Sequence, residues 1–322
     1  MITQYYRILS VSVALSVSAL VSVSNAADAP KDLTHPGRSS VYGNLSNASL
    51  EATSTSEAML SMLTTNVNGA IVTAGEASFA PTKFWTMLEH GERVECLGCI
   101  PYVAQMLYNS NAKTREISAW WLRRRIFGVF GPGEAYQQTI NAVSDQTKSE
   151  LSRAYAASAL GEFLEGAGIP PVATALVSDG SAVVRLAAAN ALIRLNNQGP
   201  NSELSTALAD KDEEVRLAAL NGVTHINVFS NVDQVATLIS DSSPLVRRRA
   251  AQTLGTLKSA DAVVGLIAMT SPGTESDAGV RAAAVWALGQ IADPAARDAV
   301  LAAKNDVDSG VRDAANFASR HL

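Results

Sequence analysis

Only two cysteines and four histidines occur in 322 residues, and this scarcity removes most site chemistries at once. His35, His90, His225 and His321 are scattered, and no group of ligands has the spacing of a metal site. There is no Gly-x-Ser-x-Gly elbow and no phosphate-binding Gly-Lys-Ser/Thr loop. Charged residues make up 17% of the chain and the net charge is −5, a balance that does not suit a nucleic-acid surface. The clusters Arg123-Arg124-Arg125 and Arg247-Arg248-Arg249 are local. Long apolar runs are missing too. The one present, Ile8 to Val23, is diluted by serines and falls short of the ~20 residues that span a bilayer. The expectation is a protein without catalytic residues, cofactor or metal and without a stable membrane span, whose partner is another protein rather than nucleic acid.

What the chain does have is repetition. Variants of Val184-Arg185-Leu186-Ala187-Ala188-Ala189-Asn190-Ala191-Leu192 recur, with arginines at 115, 153, 185, 216, 247, 281 and 312, separated by 38, 32, 31, 31, 34 and 31 residues. Periods of this length mark stacked helical units. Just before each arginine stands Thr114, Ser152, Val184, Val215, Val246, Val280 or Val311. Three after it comes Ser118, Ala156, Ala188, Ala219, Ala250, Ala284 or Ala315. Seven after it comes Leu122, Leu160, Leu192, Val223, Leu254, Leu288 or Ser319. Columns four apart share one helix face, and the middle one, never larger than Ala or Ser, lets neighbouring helices approach near the lower end of the usual ~8–10 Å. A shorter apolar-periodic run, such as 172–176 or 235–239, precedes each such helix as an antiparallel partner. Pro101, Pro170 and Pro294 suit its first turn, with Asp293 as a cap.

An acid six residues before the arginine recurs as Asp179, Asp210, Asp241 and Asp306, with Asn109 in the first repeat. Paired with Arg185, Arg216, Arg247 and Arg312, these predict a charge-assisted ladder through the stack. Two repeats depart from the spacing. Asp145 lies eight residues before Arg153, and the sixth turn is lengthened by residues 271–276. One repeat has about eight aliphatics to bury at roughly 1.5–3 kcal/mol each, too little to offset about 1–2 kcal/mol per ordered residue. The units therefore fold only as an array.

The helix pairs, the Asp–Val–Arg spacing and the endings Ala159-Leu160-Gly161 and Ala287-Leu288-Gly289 resemble HEAT repeats, in particular the short Ala-rich kind of phycobilisome-lyase-like proteins. The resemblance covers roughly residues 99–322. It implies an all-α fold, a right-handed α-α superhelix of about seven helix pairs, with the second helices lining a concave groove. Five residues after each arginine the groove would carry Trp120, Ser158, Asn190, Asn221, Gln252, Trp286 and Phe317, and four further on Arg124, Glu162, Arg194, His225, Thr256, Gln290 and His321. Trp120, Arg124, Asn190, Arg194, Asn221, His225, Gln252 and Trp286 are the candidate contacts, a polar floor with aromatic ends. No histidine stands in the His-Glu pairing of the di-iron HEAT-repeat hydroxylases. Chromophore ligation, the work of the resembling lyases, is cytoplasmic and fits poorly with an exported chain.

Export is the expectation for the start of the sequence. Residues 1–26 have a secretory pattern: Arg7, the apolar run, then Ser24-Asn25-Ala26 with cleavage after Ala26. This places the mature protein outside the cytoplasm, in the periplasm of a Gram-negative host. Residues 27–80 are rich in Ser, Thr, Asn and Gly and predict a flexible arm, with one weak helix over 50–63. Residues 81–98 predict a capping helix, with Phe84, Trp85 and Leu88 on one face and Gly91 as its stop. Cys96-Leu97-Gly98-Cys99 reads first as a local disulfide in an oxidising compartment, with a redox pair, a metal or haem ligand pair, or idle thiols as alternatives. Ile100 stands where covalent haem attachment requires His. The function expected is a noncatalytic scaffold holding a protein in its groove. The rivals are a redox or cofactor-handling accessory acting through Cys96 and Cys99, and a binder of carbohydrate or envelope polymer.

Overall fold

The computed structural model describes Leu60 and residues 81–93, 96–126, 133–195, 201–225 and 229–322, all inside one compact unit, Leu45–Leu322. The expected signal and, but for the helical Leu60, the arm with its weak helix lie outside these residues. Among the described residues the regular structure is helical throughout, with no strand.

The chain begins as α1 (Pro81–Arg93), which opens on proline and runs through Gly91 for two residues beyond the expected stop. Helix pairs follow. They are α2 (Ile100–Gln105) with α3 (Ala112–Ile126), α4 (Glu134–Ser144) with α5 (Glu150–Phe163), and α6 (Ile169–Ser178) with α7 (Ala182–Leu195). Then come α8 (Asn201–Leu208) with α9 (Glu213–His225), α10 (Val232–Thr237) with α11 (Pro244–Thr256), α12 (Val263–Ala268) with α13 (Ala278–Ile291), and α14 (Arg297–Ala303) with α15 (Ser309–Ala318). Second helices pack on one another in order, α3 on α5 and so on to α15, and the first helices α2 to α10 form a parallel row. The result is an α-solenoid of two layers.

The repeat columns form the core. Ser118, Ala156, Ala188, Ala219, Ala250, Ala284 and Ala315 are all fully buried, as are Leu122, Leu160, Leu192, Leu254 and Leu288 in the column four residues on. At six of the seven arginines the residue four before caps the helix: the side chains of Asn111, Ser149, Asp212, Ser243, Asp277 and Asp308 accept from the N–H of Thr114, Ser152, Val215, Val246, Val280 and Val311. Pro101 and Pro170 sit in the first turns of α2 and α6, and Asp293 accepts from Ala295 N–H at 2.8 Å where Pro294 starts a 3-10 turn.

The Leu-Gly endings have a physical reason. A Cβ on Gly161, Gly255 or Gly289 would stand 2.8, 2.8 and 2.6 Å from the Cα of Ala191, Ala287 and Ala318 in the following second helix. Only hydrogen fits there. These glycines close the seams α5/α7, α11/α13 and α13/α15. The equivalent positions elsewhere are Arg123, Ile193 and Thr224, so the seams α3/α5, α7/α9 and α9/α11 carry side chains instead.

At the front, Trp121 is fully buried and its Nε1–H donates to the Leu88 carbonyl of α1 at 2.8 Å. Phe84 and Leu88 are fully buried against it, so α1 covers the face of the first pair. Cys96 and Cys99 are paired and buried just before α2, with Cα atoms 5.4 Å apart.

Candidate binding groove

The arginine ladder frames the site. Each rung is a fork: Nε and Nη2 meet a carboxylate of the next repeat, while Nη1 donates to carbonyls of the arginine's own turn. Arg153 holds Asp179 at 2.8 and 2.9 Å, Arg185 holds Asp210 at 2.7 and 2.9 Å, and Arg281 holds Asp306 at 2.9 Å through both nitrogens. Arg216 meets Asp241 through a hydrogen bond from Nη2 at 2.9 Å, with Nε 2.8 Å from the other oxygen but not aligned to donate. Arg247 holds Glu275 at 2.7 and 2.9 Å. Each acid also turns its own chain, accepting from the N–H two residues on, as Asp306 does from Asp308 at 2.8 Å.

The ladder therefore corrects the sequence-based assignment at two points. Glu275, six residues before Arg281, fills the acid position within the lengthened sixth turn, and Arg153 and Arg281 are full rungs. Arg312, counted in the ladder from its spacing, clamps only its own turn, donating to the Asp306 and Val307 carbonyls at 2.8 and 2.9 Å. Burial raises the Asp179 and Asp210 carboxyls, but their arginines and turn amides outweigh it and hold both below the usual range. The paired arginines do the same, against burial, for Glu275 and Asp306.

The first rung differs. Arg115 makes the two carbonyl bonds, to Asn109 at 2.7 Å and Ser110 at 2.8 Å, but among the described residues no carboxylate bonds to its guanidinium. Its Cζ instead lies 3.9 Å above the Tyr155 ring. The position six before Arg153 is Thr147, and Asp145 is turned onto Thr147, accepting from its N–H at 3.0 Å and its hydroxyl at 2.6 Å. Burial lowers the Arg115 pKa, with Tyr155 acting in the opposite sense.

A cavity of about 330 Å³ opens at this seam between α3 and α5, lined among others by Arg115, Glu116, Tyr155, Ser158, Glu162 and Arg194. Glu162 pairs with Arg194 at 2.5 Å, and Glu116 with Lys113 at 2.9 Å. Burial raises the Glu162 carboxyl above its ordinary value; Arg194 opposes this and Glu116 adds to it.

The groove columns are exposed or half-buried along their length. Asn190, Arg194 and His225 are exposed. Asn221 accepts from Arg249 at 2.7 Å, and His225 Nδ1 lies 2.7 Å from the Asn221 carbonyl. The aromatic ends are part of the packing. Trp120 is half-buried against Trp85 of α1, ring centroids 4.5 Å apart, with Arg124 5.4 Å over its ring. Trp286 lies across Gly255, its Cζ3 2.9 Å from where a Cβ would stand, and Gln252 is half-buried. The cavity at the first seam was not visible as a site in the sequence, although Thr147, where other repeats have an acid, stands there.

Among the described residues no helix is long and apolar enough to cross a membrane, and no three or more His, Cys, Asp or Glu residues are grouped to hold a metal ion.

The fold and its columns define a helical-repeat protein. The family profile described as HEAT repeats matches residues 136–223, 200–274 and 232–320, and the chain belongs to that family. The Escherichia coli YibA structure is similar at 16% identity over 86% of this chain and 98% of that one, TM-score 0.55, a likeness of fold. Human deoxyhypusine hydroxylase in complex with glycerol matches at 19% identity over 85% and 98% of the two chains, TM-score 0.34. The CpcE–CpcF complex of phycocyanin lyase from Nostoc matches at 19% identity over 69% and 94%, TM-score 0.38. A search of curated protein sequences returns no match.

Proposed function

We propose that the protein is a noncatalytic scaffold, exported from the cytoplasm, that holds another protein in the groove formed by its second helices. The observation carrying this reading is the run of polar side chains from Ser158 through Asn190, Asn221 and Gln252, exposed or half-buried on consecutive second helices beside the α3/α5 cavity. Long polar surfaces repeated at a fixed pitch suit an extended protein partner better than a small molecule. HEAT repeats commonly mediate protein association. In this reading residues 1–26 are the removed signal, residues 27–80 a flexible arm, and the array a right-handed superhelix of about seven pairs.

The redox alternative is disfavoured by the placement of Cys96 and Cys99. Both are buried, and a reactive thiol needs access. In this reading they form a structural disulfide that pins the start of α2. The aromatic polymer-binding alternative loses weight because Trp120 and Trp286 are engaged in packing.

The test is capture by cross-linking from an envelope extract. Asn190→Arg and Asn221→Arg are compared with Gln138→Arg on α4, outside the groove. A partner retained by the α4 variant and lost by the groove variants supports the reading, and equal capture by all three contradicts it. Amino-terminal sequencing of the protein from periplasm, expected to begin at Ala27, tests export.

A further inference from the structure

The cavity at the first seam is built like an occupied rung from which the acid has been withdrawn. In the five following rungs the arginine's Nη1 is committed to the turn and its other edge to a carboxylate. Arg115 has the same commitment of Nη1, to the Asn109 and Ser110 carbonyls, and lacks the carboxylate among the described residues. Tyr155 holds the guanidinium plane from one side at 3.9 Å. Charges around the cavity point the same way. Glu162 is matched by Arg194 and Glu116 by Lys113, so Arg115 is the lining cation without a carboxylate of its own. A half-buried guanidinium in that condition is costly, which its lowered pKa reflects.

We propose that this cavity seats an aspartate or glutamate side chain of the bound protein, which takes on Arg115 the place that Asp179, Asp210, Asp241, Glu275 and Asp306 take on the later arginines. The proposal rests on the groove reading and names the chemistry of its partner. The carboxylate accepts from Nε and Nη2 as in the internal rungs, and the volume of about 330 Å³ admits such a side chain with the backbone that carries it.

The experiment uses the isotope-labelled full chain and two blocked peptides, acetyl-Gly-Gly-Asp-Gly-Gly-amide and its Asn counterpart. Binding is followed at the Arg115 Nε–H and Tyr155 ring resonances. The Asp peptide should shift both saturably, with the Asn peptide about tenfold weaker or worse. Thr147→Asp adds a carboxylate six residues before Arg153, the position at which the later repeats carry their acids, and leaves Arg115 and its turn intact. It should abolish the response, as should Arg115→Gln. Equal response to both peptides, survival of the response in Thr147→Asp, or no saturable shift would overturn the proposal. So would inorganic phosphate acting at the same concentration as the Asp peptide, which would mean a general anion site. If the peptides fail while Asn190→Arg and Asn221→Arg still release the captured partner, the groove reading stands and the carboxylate seat falls.

Discussion

The seams α5/α7, α11/α13 and α13/α15 and the seam α3/α5 are built from the same repeat, yet the first three are closed and the last holds a cavity. Two residues make the difference. Gly161, Gly255 and Gly289 bring the following helix to where even a methyl would collide, whereas α3 has Arg123 in that column. The rungs beside the closed seams are complete, and the rung beside the open one lacks its acid because Thr147 replaces it. Close packing and charge pairing thus fail together at one place, leaving space and an unmatched cation. That conjunction separates a structural irregularity from a candidate site.

The comparison can be broken at its strongest point first. Arg281→Met strips the partner from Asp306, whose side chain is 1% exposed, and should cost about 3 kcal/mol, because an uncompensated buried charge remains. Arg312→Met, with no carboxylate to abandon, should cost less than about 1 kcal/mol; denaturant melts of the two variants provide the check. Next in size, Gly289→Val should cost about 1–3 kcal/mol by overpacking against the Ala318 backbone, while Gly166→Ala, where a Cβ meets nothing within 4 Å, should be near neutral.

Acid should act through the same rungs. Asp179, Asp210, Glu275 and Asp306 all have lowered pKa values in the folded state. Their contribution is therefore complete above the ordinary carboxyl range near ~4 and is lost as pH falls through the lowered folded values. Melting temperature should be flat above about pH 5 and fall steeply below about 4, and Asp306→Asn should flatten part of that fall. The smallest expected gain is Thr147→Asp, which completes the first rung and should stabilise by about 1 kcal/mol, read as a rise in melting temperature.

Much of this was legible in the sequence, and the misses have physical reasons. The Val, Ala and Leu columns could be read because each is a steric requirement of one helix face, and all seven central small residues are buried. Glu275 is masked in the sequence although its spacing of six is intact, since a longer acid in a longer loop hides a position that geometry keeps. The reason for the Ala-Leu-Gly endings could not be read, because it lies in the helix of the next repeat. Helical periodicity turns the groove columns outward and the resemblance to HEAT repeats assigns them to a groove, but α1, whose Trp85 covers Trp120, has no period to announce where it docks. Nor could the sequence reveal the cavity, whose walls come from α3, α5 and Arg194 of α7, segments far apart along the chain.

Hydrogen exchange measured along the intact chain tests the central claim most directly, since local opening reports how each seam is held. The account predicts the slowest exchange in α5, α7, α11 and α13, which flank glycine-closed seams with complete rungs, and faster exchange in α3. Uniform protection along the array, or α3 as the most protected second helix, would contradict it.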